Sequence, residues 1–316
     1  MKFKKPKFWD LKKPNLASIL LKPLTLPIKI NNFYLNFKTK KKIHNIKTIC
    51  VGNIYLGGTG KTPTSIKLYN ILKELNFNVA TAKKYYPNQK DEQTILKIKT
   101  KFILEITRTN IIKKALKENI ELLIFDDGLQ DKQVFYDIQF VCFDGTNWIG
   151  NGCLIPSGPL REQFNSIKKF DGIFLKDIFS DQEKIISEIK KCAPNIKIFN
   201  TVSKPKNLKK HDLNSRYIIF SGIGNPNSFK NTLLKNNFKI EKEIIFPDHY
   251  NYVSKDIQKI KSQAQKLNAK IITTEKDYVK ILENDRSDIN YLEIDLEVEE
   301  EQNLINFLKK RLNEQH

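Results

Sequence analysis

The sequence predicts an α/β chain, with a parallel sheet lobe carrying a phosphate-binding loop and a second, smaller α/β lobe after it. Three observations predict this. The apolar run Lys47-Thr48-Ile49-Cys50-Val51 leads into the glycine-rich stretch Gly57-Gly58-Thr59-Gly60-Lys61-Thr62-Pro63. Apolar runs then alternate with amphipathic stretches in the rhythm of a parallel sheet covered by helices. The rhythm restarts near residues 216–220 and is followed by a new glycine turn, Ser221-Gly222-Ile223-Gly224. A chain of 316 residues, 40% of them hydrophobic, is long enough for two cores.

Residues 1–42 hold twelve Lys and one Asp, a local charge of +11 out of +20 for the whole chain. Phe3, Phe8, Trp9, Leu11, Leu16, Ile19, Leu20, Leu24, Leu26 and Ile30 are threaded between the lysines. No apolar run approaches the roughly 18 residues that span a bilayer, and Pro14, Pro23 and Pro27 divide the segment. No small-residue cleavage site follows an apolar core, which argues against a cleavable leader. A basic amphipathic segment on an anionic membrane surface is expected. The alternative is a helix that packs on the first lobe and leaves its lysines in water.

Strands are expected at 47–51, 78–82, 101–104, 121–125, 138–143 and 172–175, with helices at 63–75, 91–97, 110–119 and 181–192. In the second lobe, 216–220 and 271–274 read as strands, and 229–236, 255–267 and 277–282 as helices. Residues 198–202 and 291–298 are extended and able to pair as a connector, and 301–312 is a terminal helix. Four scattered cysteines without a C-x-x-C pair indicate neither a zinc site nor a disulfide framework.

The glycine-rich turn between strand and helix has the chemistry of a phosphate cradle. Backbone N–H groups face anionic oxygens, Lys61 reaches the β- and γ-phosphates, and the Thr62 hydroxyl is placed for Mg²⁺. In the strict G-x-x-x-x-G-K-[ST] pattern the first glycine falls on Tyr55. Next, Glu121-Leu122-Leu123-Ile124-Phe125-Asp126-Asp127-Gly128-Leu129-Gln130 delivers two carboxylates from the end of a strand. Such ends gather ligands in open α/β sheets, so Mg²⁺ is expected between Thr62 and Asp126/Asp127; an acidic turn is the plainer alternative. The glycine- and proline-rich stretch 151–162 and the loop Phe246-Pro247-Asp248-His249-Tyr250 are also candidates for binding.

Together, Gly52-Asn53, Gly57-Gly58-Thr59-Gly60-Lys61-Thr62-Pro63, Asp91-Glu92, Asp126-Asp127-Gly128-x-Gln130, Gly150-Asn151-Gly152, Pro156-x-Gly158-Pro159-Leu160-Arg161-Glu162, Asp248-His249 and Thr273-Thr274-Glu275-Lys276-Asp277 resemble the tetraacyldisaccharide 4'-kinases of lipid A biosynthesis. The motifs occur in family order across residues 47–280. The resemblance implies ATP- and Mg²⁺-dependent phosphoryl transfer to the 4'-hydroxyl of a tetraacylated glucosamine disaccharide 1-phosphate. It implies a peripheral enzyme on the cytoplasmic face of the bacterial inner membrane, needing neither nucleic acid nor an obligate protein partner. It further implies a P-loop NTPase-like parallel sheet lobe, a smaller α/β/α lobe and a two-stranded linker. The corresponding boundaries are 1–46 for the membrane-associating segment, 47–205 for the kinase lobe, 206–290 for the smaller lobe, and 291–316 for a linker strand and returning helix.

The same resemblance assigns Asp91 as catalytic base, paired with His249 from the other lobe and with Glu92 beside it; helix capping is the competing account of Asp91-Glu92. It places Arg108, Gln130 and Arg161 near phosphates or substrate and Glu162 near the metal, against an ordinary surface ion pair for the last two. Two positions depart from the family pattern. Lys84 stands where relatives usually carry Gly, and Asp131 where they usually carry His. A rival class is the membrane-associated regulatory P-loop ATPase of the partition or division-site-selection type, but its signature Lys before the paired glycines is Leu56 here. No helix-turn-helix, aromatic RNA-binding strand or zinc spacing supports a nucleic-acid binder.

Overall fold

The computed structural model describes residues 5–37, 45–131, 134–178 and 181–313. Residues 1–4 and 38–44 of the segment expected to meet a membrane, Phe3 among them, lie outside the described residues. In chain order the elements are α1 (Leu16–Leu21), α2 (Leu26–Phe37), β1 (Lys47–Gly52), α3 (Lys61–Glu74), β2 (Val79–Lys84), α4 (Lys90–Lys99), β3 (Phe102–Glu105), α5 (Arg108–Lys117), β4 (Leu122–Asp126), β5 (Ile138–Asp144) and β6 (Gly172–Lys176). There follow α6 (Gln182–Cys192), β7 (Lys197–Pro205), β8 (Arg216–Ser221), α7 (Pro226–Lys235), β9 (Lys239–Ile245), α8 (Ser254–Lys266), β10 (Lys270–Thr274), α9 (Glu275–Tyr278), β11 (Ile289–Leu292), β12 (Ile294–Val298) and α10 (Glu301–Asn313).

The chain divides into two units. Among the described residues the phosphate-loop unit comprises those within 5–85, 99–202 and 297–313, and the second unit 86–98 and 203–296. Sequence reasoning placed 47–205 in one lobe; the structure groups 86–98, with α4 up to Ile98, with the second unit instead. The reason is ionic. Asp91 and Glu92 near the start of α4 are engaged by His249 and Lys276 of that unit.

In the phosphate-loop unit the strand order is β12-β7-β6-β5-β1-β4-β2-β3. The β1 pairs with β4 and β5 are parallel, as are β2 with β3 and β4, and β6 with β5 and β7. Alternation along each strand feeds two cores. Leu123 and Phe125 of β4 and Cys50 of β1 join one cluster, whereas Leu122 and Ile124 of β4 and Ile49 and Val51 of β1 join the other. A strand buried on both faces must be apolar at both parities, which is why these runs read as continuous rather than alternating. Helix α5 covers the first face through Ile111, Ile112 and Ala115. Helix α3 covers the second through Leu68, Ile71 and Leu72, joined by Leu304, Leu308 and Leu312 at four-residue spacing on α10.

The second unit repeats this design with four parallel strands in the order β11-β10-β8-β9. Ile218 and Phe220 of β8 pack with Ile257, Ile260 and Ala264 of α8, while Tyr217 and Ile219 pack with Phe229 and Leu233 of α7. Two elements escaped the sequence reading. The edge strand β9 is mostly Lys, Glu and Ile and largely solvated, so no apolar run announced it; charge on an edge strand blocks pairing with other chains. The extended piece 291–298 is two elements, because Asn207 Oδ1 accepts the Glu293 N–H at 2.9 Å and turns the chain between β11 and β12.

Candidate functional site

The phosphate loop begins where β1 ends. Gly57 has φ +145° and Gly60 φ +85°, conformations that L side chains rarely adopt. A Cβ on Gly60 would stand 2.9 Å from Cδ of Lys176, whose ammonium is held by Asp144 at 3.4 Å and Asp177 at 3.1 Å. Burial pulls the Lys176 ammonium down, but those two carboxylates outweigh it and hold the group charged. The Thr59 hydroxyl is buried without a hydrogen-bond partner among the described residues. Helix α3 opens at Lys61, so its free N–H groups and the positive end of its dipole face the loop.

Parallel register sets the acidic group beside it. Val51 is opposite Asp126, and Ala82 opposite Phe125, so Lys83 and Asp126 leave adjacent strands at one level. Lys83 Nζ lies 2.7 Å from Asp126 Oδ2, and both side chains are 0% exposed. The same carboxylate accepts from Thr62 Oγ1 at 3.1 Å and Ser65 Oγ at 3.2 Å. Asp127 follows with φ +64°, its N–H on Val51 O at 2.8 Å, and Arg161 Nη1 lies 3.5 Å from its Oδ1.

The stretch 150–162 is strapped to the phosphate loop. Leu56 N–H donates to Pro159 O at 2.8 Å and Arg161 N–H to Ile54 O at 2.7 Å. A Cβ on Gly158 would come within 2.1 Å of Asn151 Oδ1, so the stretch closes on itself only with glycine there. The N-terminal segment locks the other side. Trp9 Nε1 donates to Pro156 O at 3.0 Å, and Asn151 Nδ2 donates to Ser18 Oγ at 2.8 Å and Ser157 O at 3.0 Å. Asn32 Nδ2 reaches Arg161 O at 2.9 Å, and Tyr55 OH, standing where the strict motif has its first glycine, donates to Asp10 at 2.7 Å.

The second unit holds the other constellation. His249 Nδ1 is 3.0 Å from each oxygen of Asp91. Lys276 Nζ lies 3.7 Å and Lys280 Nζ 3.9 Å from Asp91 Oδ2. Burial raises the Asp91 pKa, but the hydrogen bond from His249 and the charges of Lys276, His249 and Lys280 outweigh it and hold the carboxyl below its ordinary range. Glu92 pairs with Lys276 at 3.0 Å and stands 3.9 Å from His249 Nε2. His249 itself has φ +54°, a costly conformation for a non-glycine residue of the kind found at functional sites; its N–H is held by Gly222 O at 3.1 Å.

A family model for Tetraacyldisaccharide-1-P 4'-kinase matches residues 18–103 and 81–313. The chain is 44% identical over 318 residues to the tetraacyldisaccharide 4'-kinase of Pelagibacter ubique, covering 100% of each. It belongs to the tetraacyldisaccharide 4'-kinase family. The enzyme of that name from Rickettsia bellii is 35% identical over 301 residues, 90% of this chain and 91% of its own. Among solved structures, LpxK from Aquifex aeolicus in complex with ATP superposes with a TM-score of 0.69 at 21% identity, covering 94% of this chain and 99% of that one. That likeness establishes the fold, a P-loop NTPase-like parallel sheet with a second α/β unit.

The family's remaining positions fall within the phosphate-loop unit. Gln130 Nε2 donates to Asn53 O at 2.9 Å and to Glu162 Oε1 at 3.2 Å, and Lys169 stands 3.8 Å from Glu162. Arg161 Nη1 reaches Gln130 Oε1 at 3.4 Å. Arg108 is buried, donating to Asp127 O at 2.7 Å and pairing with Asp131. Lys84 remains in β2 opposite Glu105. Sequence reasoning passed over Lys83 and Lys280. Lys83 is signalled by a charge inside an apolar strand next to one that ends in Asp, and Lys280 by its spacing three residues after Asp277.

Proposed function

We propose that this chain transfers the γ-phosphoryl group of ATP to the 4'-hydroxyl of a tetraacylated glucosamine disaccharide 1-phosphate. One observation carries the reading beyond nucleotide binding: Asp91 and His249 form a carboxylate–imidazole pair, the pairing that general-base activation of an alcohol uses. A regulatory switch ATPase needs no such pair, and the full-length match to the kinases favours the transferase.

Sequence reasoning gave the proton to Asp91. That side chain is 1% exposed and its acidity is enhanced, whereas the His249 imidazole is 25% exposed with Nδ1 on the carboxylate. These facts support Nε2 of His249 as the proton acceptor, with Asp91 fixing the ring and stabilising the imidazolium. Lys61 and the amides of Gly57, Gly58, Thr59 and Gly60 neutralise the β- and γ-phosphates, Pro63 sets the first turn of α3, and Arg161 adds charge at the rim.

Magnesium prefers a few protein oxygens plus waters and phosphates to an all-protein cage. Thr62 Oγ1 and Asp126 Oδ2, 3.1 Å apart, fit that preference, and among the described residues no group of three or more His, Cys, Asp or Glu side chains is placed to hold a metal. Thr62 and Asp126 would hold the ion, with Asp127 and Glu162 within the same unit as further oxygens; when bound, it supplies charge neutralisation to the transferred phosphoryl group. Lys83 already offsets one charge of this group.

Between residues 16 and 33 the N-terminal segment buries small polar groups and exposes several large apolar ones, while Trp9 before it is buried. Ser18 and Thr25 are buried, whereas Leu16 is 73%, Leu20 71% and Phe33 65% exposed. Among the described residues no helix is long and apolar enough to cross a membrane. That inversion supports peripheral attachment to anionic lipid on the cytoplasmic face of the inner membrane, where an acylated substrate resides. Incubating the chain with labelled ATP, Mg²⁺ and the tetraacyl disaccharide 1-phosphate, then separating the lipids, tests the proposal. A labelled 4'-phosphate is expected, and Asp91→Ala is expected to bind ATP without forming it; nucleotide hydrolysis alone would sink the reading.

A further inference from the structure

Asp277 is fully buried, and its two oxygens collect four donors: Gly222 N–H at 3.0 Å, Thr274 Oγ1 at 2.7 Å, Tyr252 OH at 3.0 Å and Lys280 Nζ at 2.6 Å. Its own N–H returns to Thr274 Oγ1 at 3.0 Å, capping α9. The Tyr252 hydroxyl is pushed up by burial and then by Asp277, so it stays a donor. These contacts join the end of β8, the start of α9 and the 246–252 loop.

We infer that Asp277 is a positioning residue for the Asp91–His249 pair, acting by two routes. The first is the backbone. Asp277 holds Gly222 by its N–H, while Gly222 O accepts the N–H of His249 and a bond from Lys280 Nζ at 3.2 Å. The positive-φ turn that aims the imidazole thus hangs on a residue pinned through both its N–H and its C=O. The second route is charge. Lys280 stands 3.9 Å from Asp91 Oδ2 but only 2.6 Å from Asp277 Oδ1, so its cation is balanced before it reaches Asp91. Asp91 also faces Lys276, and His249 also faces Glu92 and Asp248, each at 3.9 Å from Nε2. Removing the Asp277 charge leaves an unbalanced cation beside the pair and disfavours the imidazolium that proton transfer creates.

The inference rests on the kinase reading. Asp277→Asn is isosteric, and it is expected to lower kcat by about 3- to 10-fold while KM for ATP and lipid changes little. The acid limb of the kcat–pH profile should move to lower pH by about half a unit or more. Adding Lys280→Gln removes the cation as well, and the double variant should return the limb to its wild-type position. An unmoved limb in Asp277→Asn, or a double variant displaced as far as the single one, would overturn the inference. NMR titration of the imidazole, assigned by its loss in His249→Gln, reads the same charge balance without substrate. Should wild type transfer no phosphate, the kinase reading fails and this titration alone decides the role of Asp277.

Discussion

Each unit holds a buried carboxylate against a basic side chain, and the two pairs differ in access. Asp126 and Lys83 are sealed from bulk solvent, both side chains at 0% exposure, with Thr62 and Ser65 donating to the same carboxylate. Asp91 is as deeply buried, yet its partner His249 is a quarter exposed. A sealed pair of fixed charges sets local potential and holds strands in register, but has no route for exchanging a proton. An open pair with an imidazole at its mouth can accept one. In the proposed reaction, the phosphate-loop unit neutralises charge and the second unit takes the proton.

The strongest test of that contrast is His249→Ala. It should reduce kcat by about 10²- to 10⁴-fold with little change in the urea midpoint. Lys83→Met should do the reverse to stability. It strands a buried carboxylate and should cost about 3–5 kcal/mol of unfolding free energy, read by denaturant titration. If Lys83→Met unfolds no more easily than wild type, the sealed pair is not a structural element.

Acid should separate the pairs next. The Asp91 pKa is depressed below its ordinary value of 3.8, so its contribution to stability is complete above that value and is lost as pH falls through the depressed one. The stability difference between wild type and Asp91→Asn should therefore be constant near neutrality and shrink below about pH 4. The smallest effect is expected at the rim. Asn32→Ala removes a single hydrogen bond to Arg161 O and should cost about 1 kcal/mol, with a modest rise in KM for ATP.

The phosphate loop and the strands around it were legible because each lies in a short local pattern. Lys47–Gly52, Lys61–Glu74 and Leu122–Asp126 match the expected elements to within two residues. What stayed hidden depends on partners far along the chain. Lys83 reads as a stray charge until register sets it against Asp126, 43 residues later. The pairing of Asp91 with His249 was expected across two lobes, but α4 up to Ile98 leaves the kinase sheet's unit and joins the other. Periodicity describes a segment's faces and is silent about which core receives them. The edge strand β9 was missed for the opposite reason, since little of it is buried and solvation erased the signal.

The knot around Asn151 also bears on the order of events during synthesis. Trp9 and Ser18 leave the ribosome first, but Pro156, which accepts the Trp9 indole, follows 147 residues later. At roughly 5–20 residues per second that delay is about 7–30 s. Through it, the Trp9 and Ser18 side of the N-terminal segment waits for the 150–162 stretch, so the strap that closes on the phosphate loop is the last part of that unit's first half to be set.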